Sequence, residues 1–317
     1  MNSSTVLHTA PASSATGITI APSRPRLGAD GAGMLLGLVG VAMFSLTLPF
    51  TRMAVAGLDP AFVALGRAVV AALLAAAWLL WRRAALPPRS ALLPLAMVAL
   101  GCVIGFPWLT SIALRTLPAS HGAVLVGILP LATAVLSTLR GNEKPSAGFW
   151  ITALAGSAIV ATFALRQSGG SFHLADLLMF AAVLLGALGY AEGGRLSKTL
   201  GGEQVISWAL LLALPLVLPL LLWLWPERAQ LAQAPASAWL GFAYISLFSM
   251  FIGFMFWYRG MARGGVARVG QVQLLQPFLT LVGAWLLLGE PLAPANAVFA
   301  LAVIVMVAVG RRMQIRT

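Results

Sequence analysis

After about 30 residues rich in Ser, Thr, Ala and Pro, apolar positions fall into ten long runs separated by short polar connections. The runs cover roughly 32–53, 60–81, 91–113, 119–139, 147–165, 174–195, 205–225, 237–258, 266–288 and 293–310. Each is near the ~20 residues an α-helix needs to cross a hydrocarbon core. None keeps the two-residue alternation of a barrel strand, and inside lipid a backbone must satisfy its own hydrogen bonds. The pattern predicts an all-α integral membrane protein with ten transmembrane helices. Residues 1–30 lack periodicity and are expected to form a disordered cytoplasmic tail. No basic segment precedes an apolar core there, as a cleaved leader requires.

The pattern also repeats. Residues 122–143, GAVLVGILPLATAVLSTLRGNE, share a plan with 270–291, GQVQLLQPFLTLVGAWLLLGEP. Pro130 precedes Glu143 by 13 residues, and Pro277 precedes Glu290 by 13. At an offset of 148, one more than that pair, Gly105, Phe106, Arg115, Ala119 and Gly122 answer to Gly253, Phe254, Arg263, Ala267 and Gly270. Two collinear sets of matches predict two homologous halves, 31–166 and 173–312. Five helices per half is an odd number, so the second half enters the membrane from the opposite side. The expectation is an inverted repeat of five helices, the ground plan of many secondary transporters.

Composition agrees with a membrane fold. Hydrophobic residues make up 60% of the chain and charged residues only 9%, against about 25% charged in soluble domains. The net charge of +12 does not point to nucleic acid, because the basic residues sit in small groups at the ends of apolar runs. With the N-terminus inside, fifteen of the 20 Lys and Arg fall on cytoplasmic segments, four on the other side, and Arg67 within a span. That bias predicts an inner (plasma) membrane protein with both termini cytoplasmic. The single cysteine, Cys102, excludes an internal disulfide and Cys-based metal sites. Glycines within spans, such as Gly37, Gly40, Gly186 and Gly189, suit close helix packing, within one chain or between the chains of a homodimer.

These residues resemble a known family. Each half looks like an EamA domain of the drug/metabolite transporter superfamily. The family pattern has an arginine in the second helix, a proline in the fourth and Gly-Glu near the turn before the fifth. The first half carries Arg67, Pro130 and GNE ending at Glu143, and the second carries Pro277 and LGEP ending at Pro291. GYAEGGRLSK (189–198) and ARVGQVQLLQP (267–277) look like one subgroup of it. The second half departs from the pattern, with no arginine around 205–225. The resemblance implies a ten-helix fold and a central cavity lined largely by the third, fourth, eighth and ninth helices. It also implies export or exchange of small solutes.

Polar groups inside the spans are the candidate site, since each costs ~2.5–3.5 kcal/mol to insert when charged. Arg67 lies about seven residues into the second span. It reads either as a fixed charge facing the cavity or as a structural bond to backbone carbonyls. Glu192 reads as a protonatable coupling carboxylate or as an i,i+3 partner of Arg195. His121 opens the fourth span and reads as a proton relay or a polar end residue. Gln271, Gln273 and Gln276 mark the ninth span, and Gln273 and Gln276 share an inward face that reads either as cavity lining for a polar substrate or as hydrogen bonds between helices. Pro130 and Pro277 each interrupt a helix and are expected hinges at the binding level. Tyr190, Trp108, Trp257 and Tyr258 supply aromatic walls or plain packing. His8 and His173 lie outside the spans, and no metal or cofactor is expected.

No GxSxG, HExxH, Walker A loop or dinucleotide fingerprint occurs. The expected function is secondary transport of a small metabolite or drug-like solute by alternating access, as an exporter or exchanger driven by an ion or exchange gradient. A lipid-linked flippase is the alternative within transport. A membrane-embedded enzyme is disfavoured, for want of clustered His, Asp or Glu. The expected partners are the solute and the bilayer, with no nucleic acid.

Overall fold

The structure is a computed structural model, and it describes residues 27–140, 144–167, 173–264, 269, 272–312 and 315–316. The tail through residue 26, Glu143, Ala267, Gly270 and Gln271 lie outside the described residues. The chain is a multi-pass helical bundle. Its longer helices are α1 (Gly31–Val55), α2 (Pro60–Trp81), α3 (Arg89–Ala113), α4 (Ala119–Leu139), α5 (Ala147–Gln167), α6 (Leu174–Leu200), α7 (Gly202–Trp223), α8 (Ala236–Gly264), α9 (Gln273–Leu288) and α10 (Pro294–Arg312), and a short helix covers Arg228–Gln233. Seven of them, α1 to α4 and α6 to α8, are long and apolar enough to cross a membrane. The apolar parts of α5, α9 and α10 are shorter. Among the described residues the only strand pairing joins Lys144–Pro145 to Ile315–Arg316.

Local chemistry sets the helix ends. Asp59 caps α2 by accepting from the N–H groups of Ala61 at 2.8 Å and Phe62 at 3.2 Å, with Pro60 in the first turn. The sixth helix runs five residues past the expected end at 195, to Leu200, because nothing in GRLSK breaks it. Gly201 does break it: at φ 85°, a conformation that strains any residue with a Cβ, it turns the chain straight into α7.

Four helices are irregular in the bundle interior. Residues Ala99–Gly105 of α3 and Ile245–Ile252 of α8 form π-helical stretches, ending beside Gly105 and Gly253, two positions that the repeat pairs. Helix α4 is broken between Val126 and Leu129, and Pro130 is the second residue of its second segment. Helix α9 passes from a 3-10 turn at Gln273–Leu275 into an α-helix at Gln276, and Pro277 is again the second residue.

Packing reverses the soluble pattern. Leu80, Leu216 and Trp223 are exposed on the outer surface, whereas Thr51, Thr110, Ser111 and Ser207 are buried. Where lipid gives no hydrophobic drive between helices, small residues allow close contact. Gly33 and Gly37 of α1 lie against Gly260 and Gly264 of α8, each pair spaced four residues apart. A Cβ on Gly101 would run into the Leu185 carbonyl, and one on Gly189 into Cys102, so α3 and α6 meet backbone to backbone.

Candidate functional site

The irregular stretches converge on one cavity. Cys102 lies in the π-helical part of α3, with Phe106 and Pro107 just beyond it, and Ser249 lies in the π-helical part of α8, with Phe254 beyond it. A π-helical turn holds an extra residue, which re-aims the side chains after it, and such turns recur at functional sites. Val126 and Leu129 come from the break in α4, and Gln276 from the α9 segment that Pro277 helps to open. Thr47 of α1, Arg67 of α2 and Tyr190 of α6 complete the wall. Seven helices therefore contribute, with α1, α2 and α6 added to the four that the family resemblance implied. The cavity measures about 30 Å³, room for a water molecule or two rather than a metabolite.

Arg67 is the one charged residue on this wall among the described residues, and it is 2% exposed. It stands about 10 Å along α2, at 1.5 Å per residue. Its Nη2 donates to Ser249 Oγ at 3.0 Å, and the Ser249 hydroxyl lies 2.8 Å from Thr47 Oγ1. Its Nε and Nη1 are buried without a hydrogen-bond partner among the described residues. Gln276 Oε1 is likewise unpaired and buried. Buried polar groups are nearly always satisfied, so two idle donors and one idle acceptor beside one cavity mark a place built for a polar guest.

Aromatic rings also line the cavity. Phe44 lies 4.8 Å from Phe254 and 6.2 Å from Tyr190, centre to centre, and Tyr190 meets Phe254 edge-on at 5.9 Å. Trp257 and Tyr258 back this cluster, and the Tyr258 hydroxyl donates to the Gly189 carbonyl at 3.2 Å. Cys102, 3% exposed, is the only thiol of the chain.

Another polar cluster lies where α4 begins. His121 Nε2 and Asp176 Oδ1 are 2.7 Å apart, both nearly fully buried, and Asp176 Oδ2 also accepts from the His173 N–H at 3.1 Å. The Glu290 carboxylate accepts from the Ala119 and Ser120 N–H groups, at 2.8 Å each. Arg52 donates to the Leu114 carbonyl at 2.5 Å just before this helix start.

The sequence-predicted residues divide between these places. Arg67, Tyr190 and Gln276 come together on the cavity wall. Trp108, His121 and Gln273 do not reach it. Trp108 follows Phe106 and Pro107, which take the cavity side of α3, and packs into the core. His121 sits five residues before Val126, about 7 Å along the helix, where Asp176 holds it. Gln273 is buried one turn before Gln276, with its Nε2 unpaired among the described residues. Glu192 is 2% exposed and accepts from Arg195 Nη2 at 2.8 Å, away from the cavity wall. Pro130 and Pro277 adjoin the two helix breaks.

Sequence reasoning passed over Thr47, Ser249 and Asp176. A lone Ser or Thr in an apolar run carries no signal, since it can bond its own helix, as Ser45 does to Val41. Asp176 was legible in retrospect as an acid three residues into a helix, the capping position. A larger hollow of about 370 Å³ lies at the helix ends near Trp81, Arg82 and Gly201, flanked by the ion pair of Arg259 and Glu203 at 3.1 Å.

Comparison with known proteins adds an independent line. The family model described as the EamA-like transporter family matches residues 31–165 and again 173–309. The chain is 50% identical over 280 residues to the uncharacterized transporter YdeK of Bacillus subtilis (strain 168), covering 88% of this chain and 97% of that one. It is 29% identical over 212 residues to a protein of Streptantibioticus cattleyicolor named "Probable terminal-alkyne amino-acid exporter", covering 63% of this chain and 68% of that one. A crystal structure superposes with a TM-score of 0.62 at 18% identity, over 88% of this chain and 96% of the other, a likeness of fold.

Proposed function

Because the chain belongs to the EamA-like transporter family and is a membrane transporter, we propose that it moves a small metabolite or drug-like solute through the Arg67 cavity by alternating access. The observation that carries this reading is the set of unpaired buried polar atoms on Arg67 and Gln276, on a wall to which both family-matched segments contribute. The bundle is read as ten transmembrane helices in two inverted repeats. The double family match supports that reading, as do the paired π-helical stretches and the paired proline breaks. Two similar halves facing opposite ways can exchange shapes, and the exchange opens one cavity first to one side and then to the other.

In this reading the protein lies in the inner membrane with both termini cytoplasmic, and the His121–Asp176 and Glu290 contacts close its outer end. The direction is export or exchange, in company with a relative named as an exporter. Glu192 is the carboxylate assigned to proton coupling. An enzymatic role finds less support, since the relatives are named transporters. A lipid-linked flippase would need a cavity open sideways to lipid, whereas this one is walled by seven helices.

The test is a thermal-shift screen of purified protein in detergent against a metabolite library, because a ligand of the folded state raises its melting temperature by mass action. A hit should then show counterflow in proteoliposomes. Stabilisation by lipid-linked headgroups alone would replace this reading with the flippase.

A further inference from the structure

Resting on the transport reading above, we propose that the solute is a compact monoanion, a carboxylate with an apolar body, which docks on Arg67 in a form of the cavity wider than the present one and whose charge offsets the guanidinium as the cavity closes. Arg67 is buried; among the described residues no carboxylate shares its cavity wall, and its one bond goes to a neutral hydroxyl, on Ser249. A guanidinium has five N–H donors in a planar fork, shaped to meet carboxylate or phosphate. Nε and Nη1 of Arg67 remain unused. With a single cation on the wall among the described residues, one negative charge is matched and the second charge of a phosphate dianion is not. The match therefore selects a carboxylate.

The other wall residues define the rest of the guest. Phe44, Tyr190 and Phe254 offer ring faces and edges to an apolar body. Gln276 Oε1 offers an acceptor to an N–H or O–H of the solute. Closure follows from the same charge. An uncompensated cation is poorly tolerated once water is excluded, and a paired one much less so. The loaded carrier therefore reaches the closed shape more readily than the empty one.

Cys102 gives a direct readout, because it lies on the same wall. Alkylation of the full-length protein by N-ethylmaleimide in detergent near neutral pH is followed with three probes of equal length: pentanoate, pentanamide and pentylamine. We expect pentanoate alone to slow the reaction, by roughly tenfold when it is present at about ten times its dissociation constant. Arg67→Gln should remove that protection and Arg67→Lys, which keeps the charge, should keep part of it. If Arg67→Gln does not fold, the three probes on the wild type and the lysine variant still decide. Equal protection by all three probes, or pentanoate protection that survives Arg67→Gln, overturns the anion assignment and leaves the solute cavity standing. No protection by any probe overturns both the anion assignment and the cavity as the solute site.

Discussion

His121 and Asp176 meet at 2.7 Å across the joint between the two family-matched segments, one residue on α4 and the other on α6. Asp176 also closes the first turn of its own helix through the His173 N–H. Leaving a buried hydrogen-bonding group without its partner typically costs ~1–3 kcal/mol, more where it is charged, whereas a neutral isostere keeps hydrogen-bonding capacity. Asp176→Ala should therefore lower the melting temperature far more than Asp176→Asn. Equal losses would show that the contact contributes little beyond its volume.

Glu290 makes the companion contact, bonding the Ala119 and Ser120 N–H groups at the start of α4. Those N–H groups have no acceptor within their own helix, and a negative charge there also meets the positive end of the helix dipole. Loss of such a cap costs ~0.5–2 kcal/mol. Glu290→Ala should destabilise the protein by about that much and, in the transport reading, speed labelling of Cys102 by a reagent confined to the outer side. Glu290→Gln, which keeps one acceptor, should fall between. An unchanged labelling rate in Glu290→Ala would remove this contact from the closure of the outer end.

Close helix contact gives a sharper steric prediction. A methyl group at Gly101 has no room beside the Leu185 carbonyl, while Gly31 has nothing within 4 Å of an added Cβ. Overpacking a tight contact costs ~1–3 kcal/mol. Gly101→Ala should lower the melting temperature clearly, and Gly31→Ala should leave it unchanged.

How much of this was legible in the sequence depends on what each feature needs. Seven of the span positions were legible because ~20 apolar residues in a row have one structural solution in lipid. Arg67 was legible because a charge in such a run stands out, and Pro130 and Pro277 because proline cannot continue the helical hydrogen bonding. The π-helical stretches of α3 and α8 were not, since their residues, ALGCVIG and ISLFSMFI, are as apolar as any helix around them. Without those stretches the rotation of Ser249 towards Arg67, and of Trp108 away from the cavity, could not be foreseen. The partner of His121 was invisible for another reason: Asp176 is 55 residues away in sequence and becomes its neighbour only when α4 and α6 pack together.

Glu192 and Arg67 predict separable effects on transport. Glu192→Gln should abolish the dependence of flux on a proton gradient and leave solute exchange intact. A proton dependence that persists would take Glu192 out of the coupling. The charge of Arg67 predicts in turn that exchange outruns net flux, because the loaded carrier closes more readily. A difference of only about 1.4 kcal/mol between the loaded and empty barriers gives a factor of ~10. Counterflow and net efflux of the same solute at equal rates would contradict this.

The central claim is that one cavity, marked by Arg67 and Cys102, opens in turn to each side of the membrane. Cys102 is the chain's only thiol, so the unmodified protein carries its own reporter. The most direct measurement is its alkylation in proteoliposomes of uniform orientation by a membrane-impermeant thiol reagent, added outside in one sample and trapped inside in another. The account predicts reaction from both sides, with a bound solute slowing both. Reaction from one side only under every condition, or from neither, would contradict it.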